Sequence, residues 1–189
     1  MKKIVSAVLA LTLALTMTAC GGKKQEETVP VVEAPASALE VLETVWGMYG
    51  QDEKFAVIGG DMGNPVSDGP GSYDLADENI SYTLLIPADQ LGNVTEAASM
   101  IHMMNANTFT CGVFRLAEGV SAADFGKTMQ DAVMNNQWMC GFPETLVIQN
   151  IADTYVLVAF GVNDAINPFM NYLTAAYPQS VNLVKEAIA

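Results

Sequence analysis

The stretch TLVIQNIADTYVLVAFG, residues 145–161, decides the fold. Two apolar, β-branched runs, residues 145–151 and 154–161, flank the dipeptide Ala152-Asp153. Runs of this length around a short turn are typical of a β-hairpin. The stretch therefore predicts two adjacent antiparallel strands.

Further elements are predicted on both sides of this hairpin. The run TFTCGVFRL, residues 108–116, predicts a strand, and Ser121 predicts the start of a helix. Ser37 and Glu40 have the spacing of a capping box and predict a helix that ends near Gly50. We also expect strands over 54–58 and 81–86, and helices over 94–105, from Asn167-Pro168 and from residue 179 or 180. This mixed order predicts an α+β fold: a mostly antiparallel sheet of about five strands with helices packed on one side.

The N-terminal residues predict export and lipid attachment. Lys2 and Lys3 precede an uncharged apolar run over residues 4–17, which is too short for a comfortable membrane span. The following Met17-Thr18-Ala19-Cys20 resembles the lipobox of bacterial lipoproteins. That resemblance implies cleavage before Cys20 and diacylglycerol on its thiol. The alternative is an ordinary signal peptide with an incidental Cys20.

Three segments follow from this reading. Residues 1–19 are predicted to be a lipoprotein signal peptide, and residues 20–36 a flexible tether rich in Gly, Lys, Glu and Pro. Residues 37–189 are predicted to be a single globular domain, because half of the chain is hydrophobic and the length suits one core. The predicted location is the extracytoplasmic face of the cell membrane, with the lipid on Cys20 as the anchor.

The charge balance excludes one class of partner. The chain has 8 basic and 21 acidic residues, a formal net charge of −13. From Ser37 onward only Lys54, Arg115, Lys127 and Lys185 are basic. Such a domain repels nucleic acid and anionic lipid. A solvated, solubilising surface is the favoured explanation of this charge, and a basic partner or a cation is the alternative.

Two cysteines remain once Cys20 is assigned to lipid. Cys111 and Cys140 either form a disulfide, which is permitted outside the cytoplasm, or are free thiols. Cys140 lies in the string NNQWMCGFPE, residues 135–144, two positions after Trp138. Trp138 and Cys140 are candidates for a partner-binding site or for the core, and we expect Trp138 to plug the core where the Ser121 helix meets the hairpin.

No catalytic, metal-binding or cofactor-binding residue is predicted. His102 is the only histidine, so a Cys-His pair or serine triad depends on it, and no nucleophile signature surrounds either cysteine. A copper site with neighbouring methionines is the weaker alternative to methionines as core filler. Acids between Asp61 and Glu78 lack calcium-loop spacing, and turn formation accounts for them.

The lipobox, the tether, TFTCGVFRL, QWMCG, TLVIQNI and YVLVAFG together resemble an uncharacterised lipoprotein family of Gram-positive bacteria. The likeness covers roughly residues 108–169 and implies location and fold, with no activity. The sequence therefore predicts a membrane-anchored lipoprotein whose domain binds an unknown protein or small-molecule partner without catalysis. The alternatives are a cell-envelope enzyme that uses carboxylates or a cysteine, and a receptor for a small ligand or cation.

Overall fold

The predicted hairpin lies inside a larger antiparallel sheet. The computed structural model describes residues 34–104 and 108–188. Its eight strands are β1 (Val57–Gly59), β2 (Val66–Ser67), β3 (Gly71–Tyr73), β4 (Val94–His102), β5 (Phe109–Leu116), β6 (Thr145–Ile151), β7 (Tyr155–Gly161) and β8 (Val181–Ala187). The strand order is β2-β1-β4-β5-β7-β6-β8, with β3 also paired to β4. The α+β class and the antiparallel sheet are confirmed, and about five strands was an underestimate.

The β6–β7 hairpin forms where the sequence predicts it. Ile151 is opposite Tyr155, and Ala152 and Asp153 both have positive φ values, 49° and 60°. Aspartate tolerates this left-handed region better than most residues. The turn therefore matches the twist of its flanking strands.

Helices lie on both faces of the sheet, so the prediction of helices on one side was wrong. The helices are α1 (Ala38–Gly47), α2 (Ile80–Thr83), α3 (Ala122–Met134) and α4 (Asn163–Ala176), with a 3₁₀ helix over Ala88–Asn93. Leu157 of β7 packs in a first core cluster with α1 and α4, whereas Val158 packs in a second cluster with α3. Strand side chains alternate between faces, and the central strands are apolar at both parities. Such strands need a layer of cover on each side.

Strand β4 occupies the segment for which a helix was predicted. Ala97, Ala98 and Met100 are helix formers, yet β4 pairs with β1 and β3 on one edge and with β5 on the other. A strand buried on both faces reads as a continuous apolar run, which periodicity cannot distinguish from a buried helix. Tertiary pairing therefore overrides local propensity here.

The last predicted helix is also a strand. In β8 the register shifts by one residue, so that Ile148 is opposite Val184 and Gln149 is opposite Asn182. The extra residue, Leu183, packs against the second core cluster together with Val184. A bulge of this kind breaks the two-residue alternation of a strand. The resulting spacing of valines imitates a helical period.

The start of α4 differs from its prediction as well. The helix begins at Asn163, and Pro168 lies inside it. The N–H of Asn163 donates to the Glu144 carboxylate at 2.8 Å. A carboxylate at a helix N-terminus satisfies an orphan donor and favours the helix dipole. Because Glu144 is distant in sequence, a local capping search does not find this start.

Of the other local predictions, both serine caps are confirmed, one strand is displaced along the chain and one strand is wrong. Ser37 caps α1 by accepting from the N–H of Glu40 at 3.0 Å, as predicted. Ser121 caps α3 in the same way, accepting from the N–H of Asp124 at 3.2 Å. The strand predicted over 54–58 is Val57–Gly59, but the one predicted over 81–86 is replaced by the one-turn helix α2.

Candidate functional site

A groove of about 450 Å³ opens on the α3 side of the sheet. Its floor comes from three strands, where Ile101 of β4, Thr110 of β5 and Phe160 of β7 are directly adjacent in register. Because strand side chains alternate, three residues in one row face the same side. The sheet therefore supplies a rigid floor that is mainly apolar.

Two irregular segments form the walls of the groove. One contains α2 and contributes Tyr82, Thr83 and Leu85. The other, residues 136–141, follows the end of α3 and leads to β6. Gly141 ends this second wall with a φ of 104°, a conformation that other residues rarely adopt. Neither wall belongs to a long regular element, and no pattern in the sequence predicted that they meet.

Large apolar side chains around the mouth of the groove are exposed to solvent. Tyr82 is 87% exposed, Met139 is 85% exposed and Met104 is 58% exposed, and all three line the groove. Met103 and Phe142, each next to a lining residue in sequence, are exposed as well. Clustered exposed apolar residues are typical of interaction sites and ligand grooves. The run WMCGF within a loop was the sequence signal for this site.

Trp138 takes part in both the core and the groove. Its ring is half-buried, lies 5.4 Å from the ring of Phe160 and packs against the second core cluster. It also lines the groove, and its buried Nε1 has no hydrogen-bond partner among the residues that the structure describes. Buried indole N–H groups usually find an acceptor. The core and partner-binding alternatives for Trp138 are thus compatible.

The two cysteines are separate free thiols. Cys111 is buried in the first core cluster, and burial raises the pKa of its thiol well above the usual value. Cys140 is exposed and lines the groove. The disulfide alternative is therefore not the one that the structure adopts. Cys111 is a core residue, and Cys140 belongs to the candidate site beside Trp138.

His102 is not placed as a base for Cys140. It lies at the edge of the groove, but its ring stacks on Phe55 with centroids 4.9 Å apart. Phe55 packs against the first core cluster, on the other side of the sheet. Desolvation lowers the pKa of His102, and its Nδ1 accepts the N–H of Met104 at 2.9 Å. Among the described residues no hydrogen bond joins His102 to Cys140.

The methionines near His102 do not share one environment. Met100 is fully buried in the first core cluster, whereas Met103 and Met104 are exposed. The interpretation as core filler therefore holds for Met100 alone. With Nδ1 of His102 already accepting a hydrogen bond, the ring offers no vacant acceptor in this tautomer. Within residues 34–104 and 108–188, no group of three or more His, Cys, Asp or Glu side chains is arranged to hold a metal ion.

The aspartates of the loop after β1 organise turns. The Asp61 carboxylate accepts from the backbone N–H groups of Gly63, Asn64 and Asp74 at 2.7–3.2 Å. Desolvation opposes its ionisation, but these donors outweigh that effect and hold the pKa of Asp61 below its usual value. Asp77 accepts similarly from Asn79 and Met62. These contacts agree with the prediction that turn formation accounts for the acids.

Among the residues that the structure describes, no Asp, Glu, Lys or Arg lines the groove, and His102 at its edge is the one imidazole. The other polar side chains include neutral hydroxyls and amides, of Thr83, Thr108, Thr110, Asn136 and Gln137. General acid–base chemistry by a pair of carboxylates needs two such groups facing one space. The site is suited to apolar contact with a few neutral hydrogen bonds.

A smaller cavity of about 150 Å³ lies at the other end of the hairpin. Its lining includes the turn residues Ala152 and Asp153 together with Ala34 and Pro35, where the described chain begins. Phe160, on the groove floor, is seven residues along β7 from Asp153. At about 3.3 Å per residue, the two sites are separated by about 20 Å. The chain thus enters the domain at the end opposite the groove.

Comparison of the chain with protein-family models, with curated proteins and with solved structures finds no match in any of the three. No helix within the described part of the chain is both long and apolar enough to cross a membrane. The predicted signal peptide, Cys20 and nearly all of the predicted tether lie outside the described residues.

Proposed function

We propose that this protein is a lipoprotein anchored through Cys20 to the extracytoplasmic face of the cell membrane, and that its domain binds a ligand or partner in the groove without catalysis. The observation that carries the binding function is the cluster of exposed apolar side chains around an open, uncharged groove. Binding sites are commonly concave and apolar with a few polar groups. Membership of the Gram-positive lipoprotein family is part of the same proposal.

The position of the groove fits such an anchor. The chain reaches the domain at Ala34, about 20 Å from the groove along β7. A tether that enters at one end leaves the opposite end available to partners beyond the membrane. Two or more acyl chains would hold the protein firmly, whereas its negative charge opposes adsorption to anionic lipid.

A cysteine enzyme is the rival function, because Cys140 is exposed in the groove. A thiol nucleophile needs a nearby base or cationic group. The ring of His102 stacks on Phe55 instead, and no Lys or Arg is among the described lining residues. The groove therefore favours binding over catalysis.

The lipid anchor is tested by detergent partitioning. Wild-type protein produced in a lipoprotein-processing bacterium should enter the detergent phase, and Cys20→Ala should remain in the aqueous phase or keep its signal peptide. Equal partitioning of processed wild type and processed Cys20→Ala would contradict lipid attachment.

The groove is tested with a neutral, apolar fluorescent dye. The protein used is the mature chain without its lipid-bearing Cys20, which therefore starts at Gly21. Every residue of both core clusters lies at or beyond Ala38, so this chain keeps the whole described core. Dye emission should rise with the wild type and fall with Met139→Glu. Met62→Glu is the matched control, because Met62 is also highly exposed but does not line the groove. Equal emission from both variants would contradict a binding groove.

A further inference from the structure

The distribution of charged residues around the groove indicates which charge a bound partner should carry. Every lining residue comes from residues 82–110 or 136–160, and the surrounding sequence segments 55–114 and 128–184 contain no Lys or Arg. The same segments contain seven and four acids respectively, eleven in total. The basic residues of the domain, Lys54, Arg115, Lys127 and Lys185, all lie outside them.

Three of those four cations also have a contact elsewhere. Lys54 lies over the ring of Trp46, and Arg115 is 3.9 Å from Glu96. Lys127 is paired with Asp131 on α3, and Lys185 is on β8, opposite Val147. None of them lines the groove. Of the eleven acids, Glu96 and Asp131 are paired with Arg115 and Lys127, and Asp153 lies at the far end of the hairpin. The other eight give the segments that form the groove a negative formal charge.

Exposed acids lie close in sequence to both walls and to the end of floor strand β7. Glu78 is exposed four residues before Tyr82, and Glu144 is exposed three residues after Gly141. Asp164 is exposed just beyond Gly161, the end of floor strand β7. Glu144 is fixed in place, because its N–H donates to the carbonyl of Gly161 at 2.9 Å and its side chain accepts from Asn163.

We propose that the groove binds an amphipathic peptide segment of another protein, with apolar side chains in the groove and Lys or Arg residues facing the surrounding acids. This inference rests on the proposed binding function and names its partner class. Exposed methionines suit such a segment, because their flexible, polarisable side chains adapt to varied apolar surfaces. An apolar helix face laid in a hydrophobic groove is a recurring mode of peptide recognition. Complementary charge then adds specificity and a faster association rate.

The test uses three labelled synthetic helical peptides with the same leucine face and with lysine, glutamine or glutamate on the opposite face. Binding to the mature chain from Gly21 is followed by fluorescence anisotropy at low and high salt. The lysine peptide should bind most tightly at low salt, and its advantage over the glutamine peptide should shrink as salt screens the charges. The glutamate peptide should bind most weakly.

Two charge variants locate the effect. The double variant Glu78→Gln/Glu144→Gln should weaken binding of the lysine peptide about two- to tenfold at low salt, since exposed charge pairs are individually weak. It should leave the glutamine peptide unaffected. The double variant Glu43→Gln/Glu118→Gln is the matched control, because it removes the same number of charges from exposed residues away from the groove. Glu43 is on α1, which packs on the other face of the sheet, and Glu118 follows the opposite end of β5 from the groove. A loss as large in this control would assign the effect to overall charge and overturn the proposal.

The outcomes separate this inference from the proposed function. Equal affinity for the lysine and glutamine peptides, with loss of both in Met139→Glu, would overturn the cationic partner and leave the groove as a binding site. Dye binding without any peptide binding would overturn the peptide and indicate a small apolar ligand. Absence of both dye and peptide binding would overturn the binding function itself.

Discussion

Replacing Trp46 by phenylalanine should destabilise the fold, whereas the same replacement of Trp138 should be nearly neutral, because the two indole N–H groups differ in their partners. Trp46 is 5% exposed and its Nε1 donates to the carbonyl of Asp68 at 3.1 Å. The Nε1 of Trp138 is buried and has no partner within residues 34–104 and 108–188. Phenylalanine removes the N–H in both cases while it keeps an aromatic ring.

The magnitudes follow from these contacts. Trp46→Phe loses a hydrogen bond, leaves the Asp68 carbonyl without this donor and also loses part of a buried ring, which together should lower the free energy of unfolding by at least about 1–2 kcal/mol. Trp138→Phe loses part of its ring packing but removes an unsatisfied donor, and these effects offset to within about 1 kcal/mol. Trp138→Ala also loses the contact with Phe160. A fully buried Trp→Ala costs about 3–5 kcal/mol, so a half-buried ring should cost about 1–3 kcal/mol.

Urea denaturation of the mature chain from Gly21, followed by circular dichroism, measures all three variants. For a domain of this size, 1 kcal/mol corresponds to about 2–4 °C in Tm, so thermal melts give a second readout. Tyr82→Ala is the control, because its side chain is 87% exposed and its loss should be close to neutral. If Trp138→Phe is as destabilising as Trp46→Phe, the indole of Trp138 has a partner in solution and the reasoning fails.

Two further predictions concern thiols and acid stability. Without reductant, an alkylating reagent should modify Cys140 in the folded protein and Cys111 only after denaturation, because Cys140 is exposed and Cys111 is buried. Intact mass spectrometry counts the added groups. Rapid alkylation of Cys111 in the folded protein would contradict its burial. Hydrogen bonds lower the pKa of Asp61 in the folded state. Its ionised carboxylate should therefore contribute its full stabilisation above about pH 4, the usual pKa of aspartate in an unfolded chain. That contribution should be lost as pH falls through the lower folded pKa. The difference in unfolding free energy between wild type and Asp61→Asn should therefore shrink on acidification, and a constant difference between about pH 6 and 2 would contradict the lowered pKa.

The sequence by itself determined the elements whose signals are local. The hairpin over residues 145–161 and strand β5 have β-branched composition. The hydroxyl oxygens of Ser37 and Ser121 cap helices by accepting from N–H groups in the first turn of the helix that each precedes. Such signals operate over a few residues, so they can be recognised without knowledge of the rest of the fold. The same applies to the acidic charge, which composition alone gives.

Only the tertiary structure decided the identity of β4 and β8, the start of α4 and the candidate site. β4 is a strand because partners pair with it on both edges. β8 is a strand because a bulge accommodates Leu183. α4 begins at Asn163 because the carboxylate of Glu144, which precedes β6, accepts a hydrogen bond from the N–H of Asn163. For the site, the sequence singled out Trp138 and Cys140, but it gave no sign that Tyr82 lies on the opposite wall. The groove depends on strand order and register, which bring residues 82–85 and 136–141 to the same row of floor residues. These pairings join residues far apart in the chain, and no periodicity along the sequence encodes them.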